Sequence, residues 1–142
     1  MRVIFVLMLG ISVTACSWET LDSSYGTAKA AVDAGMVEKG WIPAWVPQDA
    51  TDLREVHNLD SNVSELSFAK PTTSQVRLPP DWRQVAHADV FPPWIGRDWW
   101  PDDDVLARSY TFFQCRADHT EYRFVAISKA GDRVLHWRTY AR

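Results

Sequence analysis

Apolar and polar residues alternate most regularly in the last third of the chain. Residues 106–116, 121–128 and 133–140 each have this alternation, which is the period of a half-buried strand. The connections 117–120 and 129–132 are four residues each, a length typical of β-hairpins. The pattern therefore predicts a three-stranded antiparallel meander at the end of the chain.

Weaker patterns precede the meander. Residues 53–59 and 63–69 read as strands on either side of the turn-forming sequence Asp60-Ser61-Asn62, which favours a hairpin. Apolar residues recur at helical spacing over residues 23–38, and Gly40 is suited to end that helix. We therefore expect an α+β fold in which the N-terminal helix packs on an antiparallel sheet of about five strands ending in the meander.

An irregular segment, residues 70–104, lies between the hairpin and the meander. It contains six of the eight prolines and four of the eight tryptophans. A short helix is expected over residues 81–88, with Asp81 as its N-cap. A loop of this length in a small domain is usually functional or packed by its own side chains.

The first fifteen residues have the pattern of a secretory signal peptide. Arg2 precedes an apolar run of about 11 residues, which is too short for a membrane-spanning helix of roughly 20 residues. The run ends in Val13-Thr14-Ala15-Cys16, which resembles the lipobox of bacterial lipoproteins. The resemblance implies cleavage before Cys16, a lipidated tether over residues 16–24 and a single domain over residues 25–142.

The lipobox resemblance also implies a location and a first partner. Acyl chains on Cys16 would insert into the lipid bilayer, each buried CH₂ contributing roughly 0.8 kcal/mol. Ser17 follows instead of the aspartate that tends to retain lipoproteins in the inner membrane, so we expect a periplasm-facing protein of the cell envelope, on the outer membrane. With Cys16 acylated, Cys115 has no partner within the chain, and we expect it to be a buried core thiol.

The body of the chain resembles a group of small bacterial proteins, many of them lipoproteins, over most of residues 40–140. The matching residues are Gly40-Trp41-Ile42-Pro43, Pro47, Ala50-Thr51-Asp52-Leu53, Asp60, Asn62, Cys115 and Trp137. The resemblance implies a single domain and brings no activity with it. The aspartates after Trp99-Trp100 are not part of the shared pattern.

Composition and spacing exclude several functions. Asp and Glu number 18 against 15 Lys and Arg, so a nucleic-acid binder that depends on positive charge is not expected. The four histidines are isolated in the sequence, and no phosphate loop or dinucleotide-binding glycine pattern is present. We therefore expect no metal and no cofactor.

The aromatic content points to binding. Aromatic residues make up 13% of the chain, and indoles next to carboxylates can stack on sugar rings and bind their hydroxyls. The alternative is a solvated acidic turn after two core tryptophans. The residues expected to form a face for an envelope protein or glycan are Trp82, Trp94, Trp99, Trp100, Asp102 and Asp103.

We therefore predict a lipid-anchored envelope protein with a binding or structural role and no enzymatic activity. The alternative is a small hydrolase acting on envelope glycans, with carboxylates from residues 49–60 or 102–104. A glycosidase needs two carboxyl groups across a cleft, and a domain of this size with a small sheet has little room for one.

Overall fold

A single antiparallel sheet of seven strands organises residues 19–141, the part of the chain that this computed structural model describes. Its order is β1-β2-β3-β7-β6-β5-β4. The strands are β1 (Thr20–Thr27), β2 (Thr51–Asn58), β3 (Ser64–Ala69), β4 (Arg83–Val85), β5 (Tyr110–Arg116), β6 (Glu121–Ser128) and β7 (Arg133–Tyr140). The α-helices are α1 (Ala28–Asp33) and α2 (Asp103–Ser109), and a 3₁₀ helix covers His87–Asp89. None of the helices within residues 19–141 is long and apolar enough to span a bilayer.

The sheet buries apolar side chains on both faces. On the first face, Leu66, Phe68 and Val134 pack under α1 and under two irregular segments, residues 36–50 and 76–82. On the second face, Phe124 and Trp137 pack under residues 85–106. Because successive strand residues point to opposite faces, β5, β6 and β7 supply side chains to both cores, and the fold has three layers with the sheet in the middle.

The fold-class prediction is wrong, because residues 19–141 are mostly β and the long helix expected over residues 23–38 does not form there. Residues 20–27, assigned above to the tether and the helix, instead form β1 and pair with β2 along its length. The helix is limited to the six residues of α1. At its start, the Thr27 hydroxyl accepts a hydrogen bond from the Ala30 N–H at 3.2 Å, which is the geometry of an N-cap.

Gly35, and not Gly40, ends α1. Gly35 has φ of 75°, and its N–H donates to the carbonyl of Val32 while the Met36 N–H donates to that of Ala31. This is a Schellman arrangement, in which a left-handed residue satisfies the last carbonyls of a helix. The apolar spacing that predicted a longer helix continues into residues 36–42, which fold over the first face instead.

The two expected hairpin regions are present with changed ends. β2 and β3 pair as an antiparallel hairpin, and β5, β6 and β7 form the meander. The turn between β2 and β3 is organised by Asn58, whose Oδ1 accepts hydrogen bonds from the N–H groups of Asp60 and Ser61. Asn62 follows with φ of 64°, a conformation that asparagine tolerates.

Two further expectations, one within the irregular segment and one just after it, are wrong. Residues 83–85, expected within a helix capped by Asp81, form β4 and pair with β5. Residues 106–109, expected at the start of a strand, complete α2. In both places tertiary packing overrides a weak local preference. The predicted signal peptide and Cys16 lie outside residues 19–141.

Candidate functional site

The tryptophans expected to form one recognition face lie on opposite sides of the sheet. Trp82 packs on the first face, with its ring centroid 5.9 Å from that of His136. Trp100 packs on the second face, with its ring centroid 5.4 Å from that of Trp137. The sheet therefore separates Trp82 from Trp100.

Trp99 lies on the side of the second face, where it lines a pocket with Leu135, and Trp94 lies beside the end of β7. The ring of Trp99 is half-buried and meets Trp100 at 5.9 Å. Trp94 is 37% exposed and packs against Tyr140 at 5.7 Å. Each ring thus has an aromatic neighbour, and packing uses much of the aromatic content of the irregular segment.

Asp102 and Asp103 are exposed at the start of α2. Asp102 is the N-cap residue, and the Asp103 carboxylate accepts a hydrogen bond from Nε2 of His87 at 2.9 Å. Carboxylates at this position are stabilised by the partial positive charge of a helix N-terminus. The acidic stretch therefore begins a helix.

The carboxylates considered for a hydrolase have separate local partners. Asp49 accepts a hydrogen bond from the Ser74 hydroxyl at 2.9 Å. Asp52 forms ion pairs with Arg54 and Arg133 at 3.3 and 3.1 Å. The third, Glu55, is buried within the first face. Each of these carboxylates is thus already engaged in a structural contact.

Polar and aromatic side chains converge instead in a cavity on the first face, which we call the arginine cavity. Its volume is about 300 Å³. Strands β5, β6 and β7 provide the floor, and the irregular segments that cover the first face provide the walls. The lining residues are Gly40, Pro43, Trp45, Pro79, Asp81, Trp82, Cys115, Arg123, His136 and Arg138.

Two arginines lie side by side in the floor. Arg123 on β6 and Arg138 on β7 are directly paired across the strands, a placement that is unfavourable for like charges unless an anion compensates them. The Glu121 carboxylate lies 2.9 Å from Arg123 Nη2 and 3.5 Å from Arg138 Nε. That Nε is buried and has no hydrogen-bond partner among the described residues. The Glu121 carboxylate thus pairs with both arginines, and the buried Nε of Arg138 still makes no hydrogen bond within residues 19–141.

The wall of the arginine cavity is aromatic. The ring of Trp45 lies 6.3 Å from that of Trp82 and 5.5 Å from that of His136. Since a carbonyl oxygen can only accept, Nδ1 of His136 donates to the Phe124 carbonyl at 2.8 Å. Burial lowers the pKa of His136 to about 4. At neutral pH its Nε2 is therefore an unprotonated acceptor.

Cys115 lies at the edge of the same cavity. It is buried, as expected, and its thiol donates a hydrogen bond to Oδ2 of Asp81 at 2.9 Å. Burial and the Asp81 carboxylate raise the pKa of the thiol to about 11. A thiol with this pKa is a poor nucleophile at neutral pH, so Cys115 acts here as a hydrogen-bond donor.

A second polar cluster is buried elsewhere on the first face. Both carboxyl oxygens of Glu55 lie 3.0 Å from Nδ1 of His57, and the ring of Trp41 stacks on His57 at 3.8 Å. Burial raises the pKa of Glu55 to about 8 and lowers the pKa of His57. At neutral pH both groups are therefore neutral, and a hydrogen bond at Nδ1 joins them.

Two other concavities have less suitable chemistry. A groove of about 480 Å³ beside α1 is lined mainly by aliphatic side chains. A pocket of about 230 Å³ on the second face contains Arg54, Arg133, Tyr110 and Trp99, but Asp52 already pairs with both arginines there. Within residues 19–141, no group of three or more His, Cys, Asp or Glu side chains is arranged to hold a metal ion.

Sequence reasoning missed the arginine cavity although a signal was available. The predicted four-residue connection 129–132 pairs Ser128 with Arg133 and therefore places Arg123 opposite Arg138, as the structure does. Reading across these two strands would have brought the two arginines together. The observed pairing of Cys115 with Arg123 is shifted by one residue from the pairing that the connection 117–120 implies. No pattern in the sequence indicated that Asp81 and Trp45, which come from distant segments, would join the same cavity.

Comparison with known proteins gives one match. Residues 19–69 match the family model of the YbbD head domain. The matched region runs from just before β1 to the end of β3, which is just over a third of the 142 residues. No curated protein and no solved structure matches the chain. The similarity therefore covers three of the seven strands and not the strands that form the floor of the arginine cavity.

The free energy of unfolding of the wild-type protein should decrease as the pH rises because of Glu55. Replacing Glu55 with glutamine should remove this decrease. Since burial raises the pKa of Glu55 from 4.5 to about 8, the folded state holds a proton that the unfolded state releases. The free energy of unfolding of the wild type should fall relative to that of Glu55→Gln as the pH rises between these two values. Urea unfolding across this pH range measures the difference.

The matched control for this experiment is Glu38→Gln, since Glu38 is exposed. Its unfolding free energy should run parallel to that of the wild type at every pH. If the Glu55→Gln curve also ran parallel to the wild type, the neutral form of Glu55 would be excluded.

Asp81→Asn should make Cys115 more reactive. The Asp81 carboxylate raises the pKa of the thiol, and its removal should lower that pKa and speed alkylation severalfold at mildly alkaline pH. Mass spectrometry of iodoacetamide labelling, in a Cys16→Ser background with a single thiol, measures the rate. Asp89→Asn changes an exposed aspartate and should leave the rate unchanged; an equal rate in Asp81→Asn would contradict the assigned contact.

Proposed function

We propose that this protein is a lipid-anchored component of the cell envelope that binds an envelope glycan in the arginine cavity. Acylated Cys16 holds it on the periplasmic side of a membrane, and Ser17 favours the outer membrane. The observation that carries the binding role is the meeting of indole rings, two arginines and one carboxylate in one cavity. The anchor rests on the sequence Val13-Thr14-Ala15-Cys16.

The chemistry of the cavity suits a sugar better than an apolar ligand. A sugar ring has C–H faces that pack on aromatic rings and hydroxyl groups that both donate and accept hydrogen bonds. Trp45 and Trp82 supply the aromatic surface. Arg123 and Arg138 supply donors, while Asp81 and the unprotonated Nε2 of His136 supply acceptors.

The size of the cavity limits the ligand. A volume of about 300 Å³ is at the lower end of the range of about 300–1,000 Å³ that is usual for small-molecule sites. The cavity therefore suits a short sugar segment. Arg138 Nε makes no hydrogen bond with the described residues, which favours a ligand with an acceptor, such as a hydroxyl or carboxylate oxygen, near the floor.

Binding is a better proposal than hydrolysis. Hydrolysis of a glycosidic bond generally uses two carboxyl groups placed on either side of that bond. Asp81 is the one carboxylate among the residues that line the arginine cavity, and it accepts a hydrogen bond from the thiol of Cys115. A small hydrolase acting on envelope glycans remains the alternative, and release of sugar products would identify it.

Cys16→Ser should abolish membrane attachment. The wild-type protein should carry label from radioactive palmitate and sediment with the envelope membranes, whereas the variant should do neither. Cys115→Ser is the matched control, because Cys115 is buried and its removal should leave both properties intact. An unlabelled wild type, or a Cys16→Ser variant that fractionates like the wild type, would overturn the anchor.

Glycan binding should depend on the residues of the arginine cavity. The probes are muropeptides released from peptidoglycan by a muramidase and oligosaccharides prepared from lipopolysaccharide, titrated while tryptophan fluorescence is recorded. Asp81→Asn and Arg138→Gln should each weaken binding about tenfold, since hydrogen bonds to charged groups contribute about 1.5–3 kcal/mol.

Exposed residues elsewhere supply the controls for this titration. Arg108→Gln on α2 and Asp89→Asn change exposed groups outside the cavity and should bind like the wild type. Failure of every probe to bind, or equal binding by the cavity variants, would overturn the glycan proposal and leave the anchor to be judged by its own test.

A further inference from the structure

The chain enters the sheet at a defined end, which we call the entry end. There β1 begins, β2 ends, β3 begins and β7 ends. The Leu59 N–H donates to the carbonyl of Glu19 at 3.1 Å, so the turn after β2 lies beside the first described residue. Three residues separate Cys16 from Thr20, and a chain of that length spans only about 14 Å when fully extended.

We propose that the entry end of the sheet lies against the bilayer surface and that Leu21, Leu59 and Trp94 insert there among the lipid headgroups. This inference rests on the proposed acylation of Cys16, because the short connection to a lipid-bearing residue brings the entry end to the membrane. It goes further by fixing which side of the domain faces the lipid.

Exposed apolar side chains are concentrated at this end. Leu59 is 47% exposed, Leu21 is 43% exposed and Trp94 is 37% exposed. The other two exposed large apolar side chains among residues 19–141 are Val32 on α1 and Val105 on α2. Both helices adjoin the opposite end, since α1 follows the end of β1 and α2 precedes the start of β5.

Several contacts hold Trp94 at the entry end. Oε1 of buried Glu65 accepts hydrogen bonds from the N–H groups of Ile95 and Gly96 at 2.8 and 3.0 Å. Arg97 then donates two hydrogen bonds to Asp22 on β1, at 2.9 and 3.0 Å. The backbone on one side of Trp94 is thereby fixed to β3 and β1, so the indole is presented from an ordered segment.

The charges at the entry end indicate which kind of contact with lipid is favourable. The exposed acidic residues Glu19, Asp60 and Asp118 lie there, with Arg116 as a basic neighbour. Such a surface is not attracted to anionic lipids. Leucine and tryptophan side chains, by contrast, are favoured in the headgroup region for their apolar area. The contact should therefore form equally on zwitterionic and anionic bilayers and persist at high salt.

A fluorophore at the entry end tests this orientation. The full-length lipidated protein carries Leu59→Cys labelled with the environment-sensitive NBD group, in vesicles of phosphatidylcholine alone or with phosphatidylglycerol. The native cysteines do not compete, because Cys16 is acylated and Cys115 is buried. Val105→Cys, an exposed position at the opposite end, is the matched control.

We expect doxyl-labelled lipids to quench NBD at residue 59 severalfold more strongly than at residue 105, in both lipid mixtures. Equal quenching at the two positions, or none at residue 59 in protein that floats with the vesicles, overturns the proposed orientation while the anchor stands. Protein that does not float with the vesicles overturns the anchor itself.

Discussion

The burial of both faces of the sheet is the constraint on which the rest of this structure depends. A seven-stranded sheet with apolar side chains on each face must be covered twice, yet the two α-helices contain only six and seven residues. The cover therefore comes from irregular segments rich in tryptophan and proline. Proline restricts such a chain to extended paths, and the large rings fill the space that helices would otherwise occupy.

Strands that pair with a neighbour in the sequence could be predicted from the sequence. Strands that pair with a distant segment could not. The meander and the β2–β3 hairpin follow from alternation and short turns, as at Asn58 and Asn62. β1 could not be recognised, because Ser23, Ser24 and Tyr25 acquire strand geometry from pairing with β2, about thirty residues away. α1 is short because Gly35, which has a positive φ, ends it. The helical spacing of apolar residues alone does not indicate whether Gly35 or Gly40 ends the helix.

The candidate site shows the same division between local and distant information. Neighbouring strands of the predicted meander supply Cys115, Arg123 and Arg138, whereas Trp45 and Asp81 come from loops whose paths are set by packing on the first face. The YbbD head domain match ends with β3. The floor of the cavity therefore lies in strands outside the matched region, and the match carries no information about the cavity.

The pairing of β1 has a mechanical consequence for a chain tethered at Cys16. A force applied to the tether along the axis of β1 would act on the first residue of that strand. Seven registered residue pairs join β1 to β2, and a pull in this direction loads their hydrogen bonds together in shear. A pull across the strands would break them one after another at lower force, so the edge strand resists a force along its axis better than a force directed across the sheet.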